Sequence, residues 1–151
     1  MTNTLKSILD GKGYEVTQVP EYTPVTDCLK MMIDLNIGSI VIMDGDEIKG
    51  LFTERSAVHN IKLGEMDLDK TPVSEVMRKD FYALKSTSTI EEALKIFTDK
   101  RTRHIPIVEN KKLIGMVSIG DVTKLIIDAQ RSEIDFLSNY ISDDHHGIKP
   151  E

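Results

Sequence analysis

Apolar side chains recur at helical spacing at Leu29, Met32 and Ile33, and again at Leu94, Ile96 and Phe97. The pattern predicts amphipathic helices over about residues 26–36 and 90–100. Ser88 and Thr89, ahead of Glu91 and Glu92, signal the start of the second. Two strand-length apolar runs follow each helix. Residues 39–43 and 48–52 flank Asp44-Gly45-Asp46, whose Asp-Gly pair marks a hairpin; residues 105–108 and 112–117 flank Glu109-Asn110-Lys111. Ahead of each set the pattern predicts a short helix, over 5–9 with Leu5, Ile8 and Leu9, and over 73–77 with Val73, Val76 and Met77. Short strands are expected over 14–19 and 81–84, and closing helices over 54–61 and from 119 to about 140. Residues 64–71 are polar and aperiodic, and read as a linker.

The two sets are one pattern repeated. With an offset of 65 residues, Gly50 falls on Gly115, Leu29 on Leu94, Asp34 on Asp99, Ile42 on Ile107, Ile48 on Leu113 and Thr53 on Ser118. Apolar positions fall on apolar positions although few residues are identical, as in a duplicated fold whose surface has diverged. Each unit has the order β-α-β-β-α, which predicts an α+β (α/β-layered) fold with helices on one face of a small sheet. A unit of roughly 60 residues is marginal alone. The two units are therefore expected to pack sheet to sheet with pseudo-two-fold symmetry. The expected divisions are 1–63 for the first unit, 64–71 for the linker, 72–130 for the second unit, and 131–151 for a helical extension and polar tail.

Composition narrows the functional classes. Apolar residues make up 40% of the 151 and charged residues 29%, ordinary values for a globular protein. A net charge of −6 argues against a nucleic-acid or anionic-membrane surface, but leaves room for a local basic cluster around a small anion. The longest apolar runs are strand-sized, so no membrane span is expected. The first residues lack a basic segment leading into an apolar one. The single cysteine, Cys28, excludes a disulfide framework, and its place beside Leu29 and Met32 marks it as core. A cytoplasmic location is expected.

The stretch richest in chemistry is Gly115-Met-Val-Ser-Ile-Gly-Asp121. A buried strand ends here, and Ile119, Val122 and Ile126 begin a helix. Ser118 falls at the N-cap, and Asp121 three residues later completes a capping box. In structural terms this is a well-capped helix. In chemical terms the positive helix end and its free N–H groups attract phosphate, while a carboxylate can accept from a sugar diol. The recurrence of the junction in both units favours the second reading.

The repeat also resembles a known family. Arg103-His-Ile-Pro-Ile-Val108 and Gly115-Met-Val-Ser-Ile-Gly-Asp121, with Ile37-Gly-Ser-Ile-Val-Ile42, Gly50-Leu-Phe-Thr-Glu-Arg55 and Thr71-Pro-Val-Ser-Glu-Val-Met77, resemble a tandem pair of CBS (cystathionine-β-synthase-type) domains, or Bateman module, over roughly residues 5–130. The length is similar to that of stand-alone CBS-pair proteins of bacteria and plant organelles. The resemblance implies an adenine nucleotide (AMP, ADP, ATP, in some members NAD or S-adenosylmethionine) in two clefts between the domains, energy sensing, signal transduction and a disc-shaped homodimer. In the second-copy cleft it implies Asp121 on the ribose hydroxyls, with Ser118 and the backbone at Gly120 on ribose or phosphate. It implies that Ile105 and Pro106, with Asp80 and Tyr82, wall the adenine, and that Arg103 and His104 meet the phosphate. In bland terms Pro106 starts a strand, Tyr82 is core, and Arg103 and His104 are a solvated loop. In the first-copy cleft the matching positions are Thr17, Ser39, Ile40, Thr53, Arg55 and Ser56. The sequence departs from the pattern there. Ser56 stands in the place of Asp121 and cannot accept a diol with two charged oxygens, while Gly38 and Ser39 stand in the places of Arg103 and His104. This cleft is expected to bind more weakly, to bind a different nucleotide, or to be empty.

The leading expectation is a regulatory nucleotide-binding module that signals to a partner protein, with no catalytic residues and no metal. Asp143-Asp-His-His146 is too crowded in a polar tail for a built metal site, and no nucleophile–base set is evident. The alternatives are a structural, partner-binding CBS module without nucleotide, and a nucleotide-processing enzyme. Neither nucleic acid nor membrane is expected as a partner. The last helix carries Leu125, Ile126, Ala129, Ile134, Phe136, Leu137 and Tyr140 beyond the point where its first-copy counterpart stops. That stripe is expected to meet a second subunit in a homodimer.

Overall fold

Both apolar hairpins form in one register. Strands β2 (Ser39–Asp44) and β3 (Glu47–Thr53) pair antiparallel, with Ile40 opposite Phe52 and Ile42 opposite Gly50. Strands β4 (His104–Glu109) and β5 (Lys112–Ser118) repeat this, with Ile105 opposite Val117 and Ile107 opposite Gly115. The computed structural model describes residues 3–145, with side chains through Asn139. Strand alternation sorts the side chains into two layers. Ile40, Ile42 and Phe52 enter a first core with Val25, Cys28 and Met32 of helix α2 (Val25–Leu35). Ile105, Ile107 and Val117 enter a second with Ile90, Ala93 and Phe97 of helix α4 (Ile90–Lys100). The opposite faces meet each other: Val41 and Leu51 of one copy pack with Met116 of the other. The result is an α+β fold whose two small sheets pack face to face. Burial pushes the Cys28 thiol up to about 11, as suits an inert core residue.

The remaining elements are α1 (Leu5–Lys12), β1 (Gln18–Pro20), α3 (Glu54–Asn60), a single 3-10 turn (Val73–Glu75) and α5 (Ile119–His145). The strand expected over 81–84 does not form. Only Leu84 bridges Ile107 in parallel, the counterpart of Val19 beside Ile42 in the first copy. The segment is held at its ends: the Arg78 N–H donates to the Leu51 carbonyl at 2.7 Å, while Leu84 bonds Pro106 and Val108 and the chain turns at once over Lys85–Ser88.

The lead-in segments cross over. Leu5, Ile8 and Leu9 of α1 belong to the second copy's core, whereas Val73, Val76 and Met77 belong to the first copy's. Leu5 and Leu9 are fully buried, each contributing about 2 kcal/mol. The repeated glycines mark the crossings. A Cβ at Gly115 would lie 2.7 Å from the Leu9 side chain, and one at Gly50 would lie 2.7 Å from the Arg78 carbonyl. Each glycine lets the opposite lead-in segment run across the middle of a strand.

Helix α5 runs beyond the expected end near residue 140. Leu125 and Ile126 rest on the second core, but Ile134, Phe136 and Leu137 are 59%, 70% and 49% exposed. The side chains of Tyr140 and of the 143–146 cluster lie outside the described ones. Among the described residues, no helix is long and apolar enough to cross a membrane.

Candidate functional site

Two clefts open between the copies, and each is walled by both. In one, Thr17, Gly38 and Ser39 of the first copy face Met116 and Ser118 of the second across a cavity of about 200 Å3. In the other, Thr53, Arg55 and His59 of the first copy face Arg78 and Arg101 across two contiguous cavities of about 590 and 300 Å3. Crossed walls follow from sheet-to-sheet packing, which sets the end of β5 beside the start of β2, and the end of β3 beside the start of β4.

The smaller cleft, the carboxylate cleft, has the Asp121 carboxylate at its edge, bound to the lining residues Lys12 and Ser118. Ser118 and Asp121 form the predicted capping box: the Ser118 N–H donates to Asp121 Oδ2 at 2.8 Å, and the Asp121 N–H donates to Ser118 Oγ at 3.1 Å. A third group completes the arrangement. Lys12, at the end of α1, places its Nζ 2.6 Å from Asp121 Oδ2 and donates to the Met116 carbonyl at 2.9 Å. Partial burial pushes the Asp121 carboxyl up, but the Lys12 ammonium and the Ser118 donors outweigh it and hold it below its ordinary 3.8. A ribose diol would share this carboxylate with Lys12.

The larger cleft is basic. Arg55, Arg78, Lys79, Lys100 and Arg101 line it, and Arg103 joins them at the narrower end. Among the described residues, only Arg78 of these six has a carboxylate within ion-pair distance, Asp80 at 3.0 Å. The Arg78 guanidinium also donates to the Lys100 carbonyl at 3.3 Å, tying the linker segment to the C-terminal end of α4. On the first-copy side, Thr53 caps α3, accepting from the Ser56 N–H at 3.1 Å, while Ser56 Oγ accepts from the Thr53 N–H at 2.7 Å. The Ser56 hydroxyl is thereby committed to the cap.

His104 stands at the divide and lines both clefts. A Cβ at Gly38 would lie 2.9 Å from Glu54 Oε1 and 3.2 Å from His104 Nε2, so glycine is what lets these two side chains close over the backbone. Burial pushes the His104 imidazole below its ordinary 6.5. The Glu54 and Asp121 carboxylates oppose the shift, and Lys12 and Arg103 add to it.

The family model of the CBS domain matches residues 13–63 and again 73–128. The chain belongs to the CBS-domain family. Over 122 residues this CBS pair is 33% identical to the mitochondrial CBS domain-containing protein CBSX3 of Arabidopsis thaliana, matching 78% of its own length and 59% of that relative's. Among solved structures it is similar to a CBS-domain protein of Burkholderia ambifaria MC40-6 named as a candidate signal-transduction protein, at 33% identity and a TM-score of 0.80. That match covers 85% of this chain and 96% of the other. It is also similar to a CBS-domain protein of Agrobacterium tumefaciens, at 31% identity and a TM-score of 0.75, covering 83% and 98%.

The CBS pair does not group the expected residues copy by copy. Arg103 and His104, assigned with Asp121, meet Thr53 and Arg55 across the basic cleft, and Asp80 lines that cleft too. Thr17 and Ser39, assigned with Thr53, share the carboxylate cleft with Ser118. The side chains of Ile105 and Ile40 are fully buried in the two cores, because alternation turns them away from the clefts. Pro106 is buried opposite Met116 on the sheet-to-sheet face. Tyr82 lies beneath the Lys100 ammonium, 5.3 Å from its ring centroid. Gly120 lines a separate outer groove with Arg103 and Arg131, and a Cβ there would make only ordinary contact. The sequence reading missed Lys12, Arg78, Lys79, Lys100 and Arg101. The available signal was two basic dipeptides, Arg78-Lys79 just after the 3-10 turn and Lys100-Arg101 at the end of α4.

Proposed function

We propose that this CBS pair is a regulatory module that binds an adenine nucleotide in the basic cleft and reports its occupancy to a partner protein. The observation that carries this is the convergence of Arg55, Lys79, Lys100, Arg101 and Arg103, with no carboxylate among the described residues within ion-pair distance of them, on cavities of about 590 and 300 Å3 between the copies. Small-molecule sites have this size. The base lies against Leu51 and Val58 in the narrower part, and the phosphates extend toward the guanidinium groups, whose forked donors match phosphate oxygens. Signalling then follows from differential affinity of the ligand for two states of the module. The candidate signal-transduction role attached to the Burkholderia relative supports this reading. The cytoplasm suits its single buried thiol.

A melting-temperature screen with AMP, ADP, ATP, NAD and S-adenosylmethionine tests it, because a ligand that binds only the folded state raises stability. A rise with at least one nucleotide, reduced in Arg55→Ala, is expected. No rise with any of them returns the chain to the structural, partner-binding reading. Recovery of intact ATP after incubation separates a sensor from a nucleotide-processing enzyme. The exposed Ile134, Phe136 and Leu137 support a homodimer formed through the end of α5. Truncation after Gln130 is expected to halve the mass seen in light scattering; an unchanged dimer removes that role from the helix.

A further inference from the structure

We infer that the basic cleft counts phosphates and does not test the sugar. Its ligand class is a chain of two or more phosphates, whether carried by a ribonucleotide, by a deoxynucleotide or by no nucleoside. The inference deepens the nucleotide-site reading and rests on it for the choice of cleft. The first support is charge. A chain of net charge −6 gathers six cationic side chains and His59 around two contiguous cavities, and among the described residues a carboxylate lies within ion-pair distance of only one. Like charges held together repel unless an anion lies between them, and each further phosphate meets more of these groups.

The second support is that no carboxylate stands at the helix cap of the basic cleft in the place that Asp121 holds in the other copy. Where Asp121 offers a carboxylate, the basic cleft has Ser56, 5% exposed, its hydroxyl accepting from the Thr53 N–H and donating to the Thr53 carbonyl at 3.0 Å. The two carboxylates present are placed otherwise: Asp80 is tied to Arg78, and Glu54 Oε1 is turned over Gly38 beside His104. The third support is Arg101 itself. It ends α4 at φ 51°, in the left-handed region, where its first-copy counterpart Asn36 sits at φ 52°. Asparagine suits that conformation and arginine does not. A local rule is broken where a cation faces the cavity, as happens at functional positions.

Calorimetric titration of the full chain, in buffer free of divalent cations, compares AMP, ADP, ATP, 2′,3′-dideoxy-ATP and inorganic tripolyphosphate. ATP is expected to bind at least about tenfold more tightly than AMP, dideoxy-ATP within about threefold of ATP, and tripolyphosphate in competition with ATP. Arg101→Asn weakens every polyphosphate by about tenfold without lowering the melting temperature. Lys30→Ala, on the exposed side of α2, changes nothing. Glu54→Gln tightens ATP and tripolyphosphate alike. AMP binding as tightly as ATP, a tenfold loss with dideoxy-ATP, or a Glu54→Gln loss confined to ribonucleotides overturns the inference and leaves the nucleotide site standing. Binding of tripolyphosphate with no nucleotide supports it and removes the nucleotide reading. Binding of none of these ligands overturns both.

Discussion

Position for position, the repeat sets Asp121 of the carboxylate cleft against Ser56 of the basic cleft, and Arg103 and His104 against Gly38 and Ser39. Because the walls cross between copies, these two substitutions do not reinforce each other. Arg103 and His104 of the second copy face the cap of the first, and Ser118, whose N–H donates to the Asp121 carboxylate, faces the neutral Gly38 and Ser39. One cleft therefore holds the acceptor a sugar needs, already engaged by Lys12, and the other holds the donors a phosphate needs. The two clefts of this duplicated fold thus differ in chemistry, with an ion-paired carboxylate at the edge of one and a row of cations lining the other.

The largest effect should come from stripping the basic cleft. Arg55→Ala with Arg101→Ala is expected to weaken ATP binding by about 100-fold, at roughly tenfold for each guanidinium–phosphate contact. Lys12→Ala with Asp121→Asn is expected to change it by less than about threefold. The reverse ranking in calorimetry would exchange the roles of the two clefts. Next come the two crossings. Gly50→Ala should cost about 3 kcal/mol in urea unfolding, since the new methyl meets the Arg78 backbone carbonyl, and Gly115→Ala about 1 kcal/mol, since it meets only the far end of Leu9. Equal losses would show that the two lead-in segments are held alike.

Smaller differences separate the two caps. Asp121→Ala should cost about 1.5 kcal/mol, losing the cap and the Lys12 ion pair, and Ser56→Ala about 1 kcal/mol, losing the cap alone. The Asp121 carboxyl is held below 3.8, so its contribution is present above that pH and is lost as the pH falls through the lowered value. Wild type and Asp121→Ala should converge there in urea midpoints. The smallest effect belongs to His104. The folded state disfavours its proton and the unfolded chain does not, so stability is full above pH 6.5 and declines as the pH falls below it. His104→Asn should flatten that decline, and an unchanged slope would mean that the imidazole is protonated in the fold.

Much of this was legible without coordinates. The 65-residue offset, the hairpin at Asp44-Gly45, the capping box at Ser118 and Asp121, and helix α4 to the residue all follow from local periodicity and capping chemistry. The face-to-face packing of the two sheets was expected as well, but the particular contacts made at long range escaped. Lys12 reaches Asp121 across 109 residues, and no spacing rule links them. The copy to which a lead-in helix belongs depends on how two finished sheets stack. Ile40 and Ile105 are cleft residues only by the family resemblance, and strand alternation turns both side chains into the cores.

The crossing of the lead-in helices bears on how the chain is born. Helix α1 leaves the ribosome well before the strand it covers, since Gly115 lies more than a hundred residues later in the chain. Until then Leu5, Ile8 and Leu9 have no seat, and such distant pairings are reached slowly. A nick in the linker would yield two halves, each carrying the other's missing helix, and these should find each other as complementing fragments.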